Sequence, residues 1–140
     1  MKRYLHGSAL ACAALLALLG CRSLDGGAKD QFAKDFSCPE DRVTVRPRAD
    51  LDSYALEFGG GGASPPPEVQ KDPARYAMWK KQQADSHASW NDRISAFEAK
   101  GCGHDAVYTC SHPNSGRNGA VNYADVSCTK ATHQPPGTKG

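Results

Sequence analysis

The sequence predicts an α+β domain in which a small antiparallel sheet packs against two helices and is stapled by two disulfides. Two segments have helical periodicity and five short segments alternate like strands. Beyond residue 21 the chain contains four cysteines but only 14 Leu, Ile, Val or Phe residues. So thin a core in a chain of this size commonly needs covalent staples.

The N-terminal segment, residues 1–20, has the pattern of a secretory signal. A basic start, Met1-Lys2-Arg3, precedes the apolar run Ala9–Leu19, which is eleven residues long. A helix that crosses a bilayer needs about 20 residues, so this run is too short to span one. A basic start before a short apolar run is typical of export signals.

The apolar run ends in Leu18-Leu19-Gly20-Cys21. This ending resembles the lipobox of bacterial lipoproteins, in which a small residue precedes a lipidated cysteine. The resemblance implies that the chain is cleaved before Cys21 and that the Cys21 thiol carries a diacylglycerol with its fatty acyl chains (palmitate). The lipid would anchor the protein to the membrane, and residues 21–27 would form a polar tether. Arg22, rather than Asp, follows the cysteine, which in diderm bacteria implies the outer membrane. The alternative is an ordinary secretory signal in which Cys21 is incidental.

The first part of the predicted domain, which spans residues 28–130, contains a helix at Ala28–Ser37. Ala28, Phe32 and Phe36 recur every four residues and line one face, and Pro39 ends the helix.

Two short strands are predicted after this helix. Arg42–Arg46 alternates and places Val43 and Val45 on one face, while Pro47 confines the strand to a sheet edge or ends it. Residues 54–58 also alternate, with Tyr54, Leu56 and Phe58 on one side, which predicts a partner strand.

Residues 59–67 are rich in glycine and proline and predict a spacer or a long surface loop. Asp72-Pro73 then has the pattern of a helix start, and residues 73–89 predict a helix. Tyr76, Trp79, Gln83 and His87 share one face of it, with Trp90 just beyond. This face either packs on the domain or forms an exposed aromatic stripe for a protein partner or a glycan.

The C-terminal half predicts a three-stranded meander. The strands are 94–100, 106–110 and 121–128, with a turn at residues 101–105. Residues 131–140 are rich in proline and glycine, which predicts a disordered tail.

The cysteines Cys38, Cys102, Cys110 and Cys128 predict a disulfide framework, because an even number in a small exported domain is typical of one. In an antiparallel meander the third strand returns Cys128 to the level of Cys102. That geometry favours Cys102–Cys128 together with Cys38–Cys110. The alternative is Cys38–Cys102 with Cys110–Cys128, which requires a different last segment.

Several short motifs resemble those of small cysteine-rich lipoproteins of myxobacteria and related deltaproteobacteria. They are Phe36-Ser-Cys38-Pro39-Glu-Asp-Arg-Val43, Gly101-Cys102-Gly103, Tyr108-Thr-Cys110 and the helix start Asp-Pro-Ala-Arg-Tyr-Ala-Met-Trp at residues 72–79. The resemblance covers about residues 28–130. It implies a fold and a location in the cell envelope, and it carries no activity.

Motifs for catalysis are missing from the sequence, so we expect a non-catalytic protein without a cofactor. The sequence has no C-x-x-C and no G-x-S-x-G, and its glycine run lacks the Lys-Ser/Thr of a phosphate loop. Glu98 and Asp105 could approach each other as a glycosidase pair would, but isolated acids on such strands are usually ordinary surface residues.

A metal site is the second functional hypothesis. Cys102-x-His104 and Cys110-x-His112 could together supply two thiolates and two imidazoles to zinc or copper. Their spacing is not that of common zinc sites, and thiols outside the cytoplasm are usually oxidised. His87 and His133 have no evident companions and are expected to be solvated.

The charge balance, with 17 basic and 15 acidic side chains, argues against nucleic acid as a partner. The sequence thus predicts a lipid-anchored protein of the cell envelope, in the outer membrane, with a structural or binding role. Its partners would be the membrane, through the lipid, and an envelope protein or a glycan.

Overall fold

A computed structural model describes residues 23–60, 62–115 and 120–138 of the chain. The predicted signal segment and the lipid site at Cys21 lie outside these residues. The helices are α1 (Leu24–Asp35), α2 (Ser53–Phe58), α3 (Pro67–Gln70) and α4 (Pro73–Arg93). The strands are β1 (Thr44–Pro47), β2 (Ser95–Gly101), β3 (His104–Ser111), β4 (Asn114–Ser115), β5 (Ala120–Val121) and β6 (Ser127–Lys130).

A four-stranded antiparallel sheet with the order β1-β2-β3-β6 confirms the predicted α+β class. β2 and β3 form a hairpin through Cys102 and Gly103, whose φ angles are 50° and 84°. Two-residue turns of type I′ need positive φ at both positions, and glycine adopts it without strain. β1 is an edge strand and ends at Pro47, as predicted. β4 and β5 pair separately.

The sheet is covered on both faces. On one face, Ala28 and Phe32 of α1 pack against Ala99 and Tyr108, and all four are buried. The hydroxyl of Tyr108 donates a 2.7 Å hydrogen bond to Asp35 at the end of the same helix. Burial, together with this bond and the Asp35 charge, raises the pKa of Tyr108 far above its usual range, so the phenol stays a neutral donor.

The opposite face has a smaller apolar cluster. It consists of Leu56 from α2, Ala96 and Val107 from the hairpin, and Ala131 beyond β6. Ala131 donates its backbone N–H to Val107 at 2.9 Å, and the side chain of Gln134 bonds both the N–H and the carbonyl of Val107. The predicted disordered tail is therefore wrong for residues 131–134, because this segment continues β6 along β3.

Helix α1 begins four residues earlier than predicted, so residues 24–27 belong to the helix and not to a tether. Ser23 caps it by accepting a hydrogen bond from the Gly26 N–H. Glycine at position 27 permits close approach to β6, since a Cβ there would lie 2.4 Å from Cγ1 of Val126 and 3.0 Å from Sγ of Cys128.

The strand predicted at residues 54–58 is wrong: the segment is helix α2. Asp52 accepts hydrogen bonds from the N–H groups of Tyr54 and Ala55 and thereby starts a helix. Tyr54 and Phe58 are four residues apart and their rings are in contact at 4.7 Å between centroids, as on one face of a helix. In so short a segment the same positions also fit the period of two from which a strand was predicted. The predicted strand 121–128 is also wrong, because β5 ends at Val121 and β6 begins at Ser127.

The disulfides are Cys38–Cys102 and Cys110–Cys128, with Cα–Cα distances of 5.9 and 4.2 Å. The favoured pairing, Cys38–Cys110 with Cys102–Cys128, is therefore wrong. It assumed that Cys128 ends a long return strand, whereas Cys128 lies at the start of β6, directly opposite Cys110. Cys38 follows α1 and meets the hairpin tip, where Cys102 lies.

Helix α4 confirms the predicted helix and extends it to Arg93. Asp72 caps it by accepting from the N–H groups of Ala74 and Arg75, and Pro73 follows as the first helical residue. Within the described part of the chain, no helix combines the length and apolar character needed to cross a membrane.

The observed pairing predicts that the native chain has no reactive thiol at these four positions. Non-reducing proteolysis and mass spectrometry should recover Cys38 linked to Cys102 and Cys110 linked to Cys128. The double variant Cys110→Ser/Cys128→Ser should lose about 2–4 kcal/mol of unfolding free energy, measured in urea. Recovery of a Cys38–Cys110 peptide would contradict the strand register described above.

Close packing at Gly27 makes a second prediction. Gly27→Ala should lower the free energy of unfolding by about 1–3 kcal/mol, because the new methyl overlaps Val126. Gly26→Ala is the matched control, since its Cβ approaches only the Ser23 hydroxyl, at 3.1 Å, and the gain in helix propensity, about 1 kcal/mol, offsets a weakened Ser23 cap. Equal stability of the two variants would contradict the close approach of Gly27 to Val126.

Candidate binding groove beside helix α4

Helix α4 spans 21 residues and none of them is buried. Its C-terminal half packs on α2, where the Trp90 ring lies 4.9 Å from Phe58 and 6.4 Å from Tyr54 between centroids. The indole N–H of Trp90 is buried, and no residue in the described part of the chain accepts a hydrogen bond from it. On the N-terminal half, Tyr76 and Met78 are 37% and 74% exposed. The aromatic face therefore packs on α2 at its C-terminal end, whereas at its N-terminal end Tyr76 is exposed and Trp79 is half-buried.

Asp52 joins α2 to α4. Besides capping α2, its carboxylate accepts from the Nδ2 of Asn91 at 3.0 Å and meets the Nε2 of His87 at 2.7 and 2.8 Å. The Tyr54 ring packs against the His87 ring at 4.7 Å. The expectation that His87 is solvated without a companion is wrong, since its partner lies 35 residues earlier and no local pattern indicates it.

The carboxylate of Asp52 is held in its ionised form. Partial burial would raise its pKa, but the hydrogen bonds from His87, Asn91 and the Ala55 N–H outweigh burial and lower the pKa to about 2. The Asp52 carboxylate is therefore negatively charged at neutral pH and holds the His87 ring in position.

A groove lies between α4 and residues 62–65 of the Gly/Pro-rich segment. It comprises two cavities, of about 360 and 410 Å³. The first is lined by Tyr54, Gly62, Ala63, Trp79, Lys80, Gln83, Ala84 and His87. The second is lined by Ser64, Pro65, Gln70 and Tyr76. We call the two cavities together the α4 groove.

The aromatic stripe predicted on α4 forms one wall of this groove. Tyr76 and Trp79 have nearly parallel rings, with 8° between their planes and 6.2 Å between centroids. Gln83 and His87 follow on the same face. The sequence thus predicted this wall of the groove. The opposite wall comes from the Gly/Pro-rich segment, for which the sequence predicted only a spacer or a surface loop.

Lys80 places a positive charge at the groove. Its ammonium lies 4.8 Å above the Tyr76 ring, and no carboxylate in the described part of the chain pairs with it. The neighbouring cations Arg75 and Lys81 instead contact Asp72 at 3.6 Å and Asp85 at 2.6 Å. Among the residues that line the two cavities as described, none has a carboxylate.

A larger cavity of about 630 Å³ lies on another face of α4. It is open to solvent, and its charged groups include the Lys81–Asp85 pair, which is already satisfied within the helix. Its aromatic side chains, Tyr54 and Trp90, belong to the packing of α2 on α4. This cavity differs from the α4 groove in sign of charge, because its lining contains the carboxylate of Asp85, whereas the described lining of the α4 groove contains none.

The proposed metal ligands do not come together. His104 stacks on Phe36 at 4.5 Å, whereas the Nδ1 of His112 lies 2.9 Å from the carbonyl of Asp125. These histidines lie at opposite ends of β3, about 26 Å apart at the rise of a strand. Cys102 and Cys110 are in disulfides, and no group of three metal-ligating side chains occurs among the described residues.

Glu98 is buried, contrary to the expectation of an ordinary surface acid. It accepts a hydrogen bond from Arg46 and contacts the Nζ of Lys100 at 3.3 Å. Burial would raise its pKa, but the bonds and charges of Arg46 and Lys100 lower it. Lys100 also lies 3.9 Å from Asp105, so the two acids belong to an ion-pair ladder across three strands.

Comparison of the chain with protein-family models, with curated proteins and with solved structures finds no match. The fold and the groove define a class only: a small disulfide-bonded α+β domain with an open aromatic groove beside an exposed helix.

The Asp52 brace generates a third prediction. Because its pKa is about 2 in the folded chain and 3.8 without its partners, it adds stability above pH 4 that is lost as pH falls towards 2. Asp52→Asn, which retains capping ability, should lower the unfolding free energy at pH 6 by about 1 kcal/mol or less, because the pair is partly exposed.

The measurement is urea unfolding from pH 2 to pH 6. The difference between wild type and Asp52→Asn should shrink at the acid end. Asp72→Asn is the control, since Asp72 caps α4 with no imidazole beside it. A difference that stays constant across this pH range would show that the Asp52 charge contributes nothing.

Proposed function

We propose that the chain is a lipid-anchored protein of the cell envelope, placed in the outer membrane, which acts by binding and not by catalysis. The lipobox-like ending at Cys21 supports the anchor. The two disulfides support an oxidising compartment, where such bonds persist. The motifs that resemble myxobacterial lipoproteins support the same location.

The anchor would hold the domain close to the membrane. Helix α1 begins at Leu24, so the connection from Cys21 is only about 10 Å long even when fully extended. Several acyl chains together would bind a bilayer stably, whereas one alone binds marginally.

The α4 groove is the observation on which the binding role rests. Helix α4 contributes no buried residue to the core, yet it places an exposed ring, Tyr76, and a half-buried ring, Trp79, in the groove. Each of its cavities falls in the range of about 300–1,000 Å³ that is typical of ligand sites. Rings with a few polar groups beside them are the usual lining of such sites.

The His87–Asp52 pair supplies the groove with a positioned imidazole. Asp52 is occupied by two backbone N–H groups and by Asn91, so it fixes the position of the imidazole. The hydroxyl of the adjacent Ser53 is buried and donates to the Ile94 carbonyl, which leaves it unsuited as a nucleophile.

The proposal predicts a membrane-bound chain whose groove contacts an envelope component. With a photoreactive residue at Gln83, light should give a discrete crosslinked product in the envelope fraction. The same residue at Asp92, which lies on the opposite side of α4 and lines neither cavity, should give none.

The lipid anchor is tested in the same cells. Cys21→Ser should lose palmitate label and leave the membrane fraction, together with the Gln83 crosslink. Equal crosslinking at Gln83 and Asp92 would refute the binding surface. A mature chain that starts elsewhere than at Cys21 would refute the anchor.

A further inference from the structure

We propose that the α4 groove binds a saccharide that carries a carboxylate. This inference rests on the proposed function in taking the groove as the binding surface, and it specifies the ligand. The argument uses three properties of the groove: its ring faces, its uncommitted polar groups and the sign of its charge.

The ring faces fit the apolar side of a sugar. The Trp79 and Tyr76 rings are stacked with nearly parallel planes, and both line the groove. Aromatic faces carry negative charge density, so they attract the slightly positive C–H groups that point from one side of a pyranose ring. Trp79 is the ring that a sugar would meet, because it lines the same cavity as Lys80 and Gln83, whereas the Tyr76 ring lies against Trp79 and under the Lys80 ammonium.

The polar groups fit sugar hydroxyls, which both donate and accept. Gln83 offers an amide with both capacities. Asp52 engages the Nε2 of His87, which leaves the Nδ1 of the ring for a ligand. On the opposite wall, a Cβ at Gly62 would have no neighbour within 4 Å, so a ligand can reach the backbone there.

Charge complementarity selects an acidic saccharide over a neutral one. Lys80 lies at the groove beside Tyr76, and the described residues give it no carboxylate partner. A lysine is a single point charge, which suits one carboxylate, whereas phosphate sites usually add the fork of an arginine. A proline-rich peptide would use the rings but would leave Lys80 without a role.

The experiment measures binding of trigalacturonic acid and of its methyl ester to the full-length chain, purified in detergent with its disulfides intact. The two probes differ in charge and share the sugar rings. The acid should bind, and the ester should bind about 3- to 5-fold more weakly, as expected for one exposed ion pair. Lys80→Gln should remove this difference by weakening the acid alone.

The contact of the sugar with Trp79 is tested by Trp79→Ala, which should lower the affinity for both probes about tenfold. Met78→Ala is the matched control, because Met78 is the adjacent residue, is 74% exposed and lines neither cavity of the groove. Thermal unfolding of each variant checks that it is folded. We expect each variant to fold, because α4 contributes no buried residue to the core.

Equal affinity for the acid and the ester, or no effect of Lys80→Gln, would overturn the inference. Binding of a proline-rich peptide in place of both saccharides would overturn it too, and would assign the groove to a protein partner. Failure of every probe would also overturn it. In each case the Gln83 crosslink still decides the proposed function independently.

Discussion

Burial of strand β3 on both faces is the constraint on which the rest of the structure depends. Residues 106–110 are all buried, although strands in small antiparallel sheets usually leave one face to solvent. Two separate layers must therefore cover this strand. Helix α1 covers the face that contains Tyr108, and α2 with the segment after β6 covers Val107.

Covering a sheet on two sides with so few large apolar residues leaves both layers thin. The disulfides act where the layers are weakest: Cys110–Cys128 fastens the short strand β6 to β3, and Cys38–Cys102 fastens the hairpin tip to the end of α1. Each bridge closes a loop of the unfolded chain and so reduces its conformational entropy. The disulfides thus add to the stability that the small core supplies.

Helix α4 is nearly independent of this arrangement, and that independence is what makes it available for binding. Its cap and its proline start lie within its own sequence, and its length suits a stable helix. Only its C-terminal half is braced, through Asp52 and the contact of Trp90 with Phe58. In the other half, Tyr76 is exposed and Trp79 is half-buried, and both rings line the groove.

The sequence by itself determined the fold class, α4 with its cap, the hairpin turn at Cys102 and the aromatic stripe on α4. Each is encoded by neighbouring residues, either through periodicity or through a capping side chain. Only the tertiary structure decided the disulfide pairing, the helical state of α2 and the partner of His87. These depend on strand register, on packing and on contacts between residues far apart in the chain, such as Asp52 and His87. Local patterns carry no signal of such contacts, because they form only once the layers have assembled on β3.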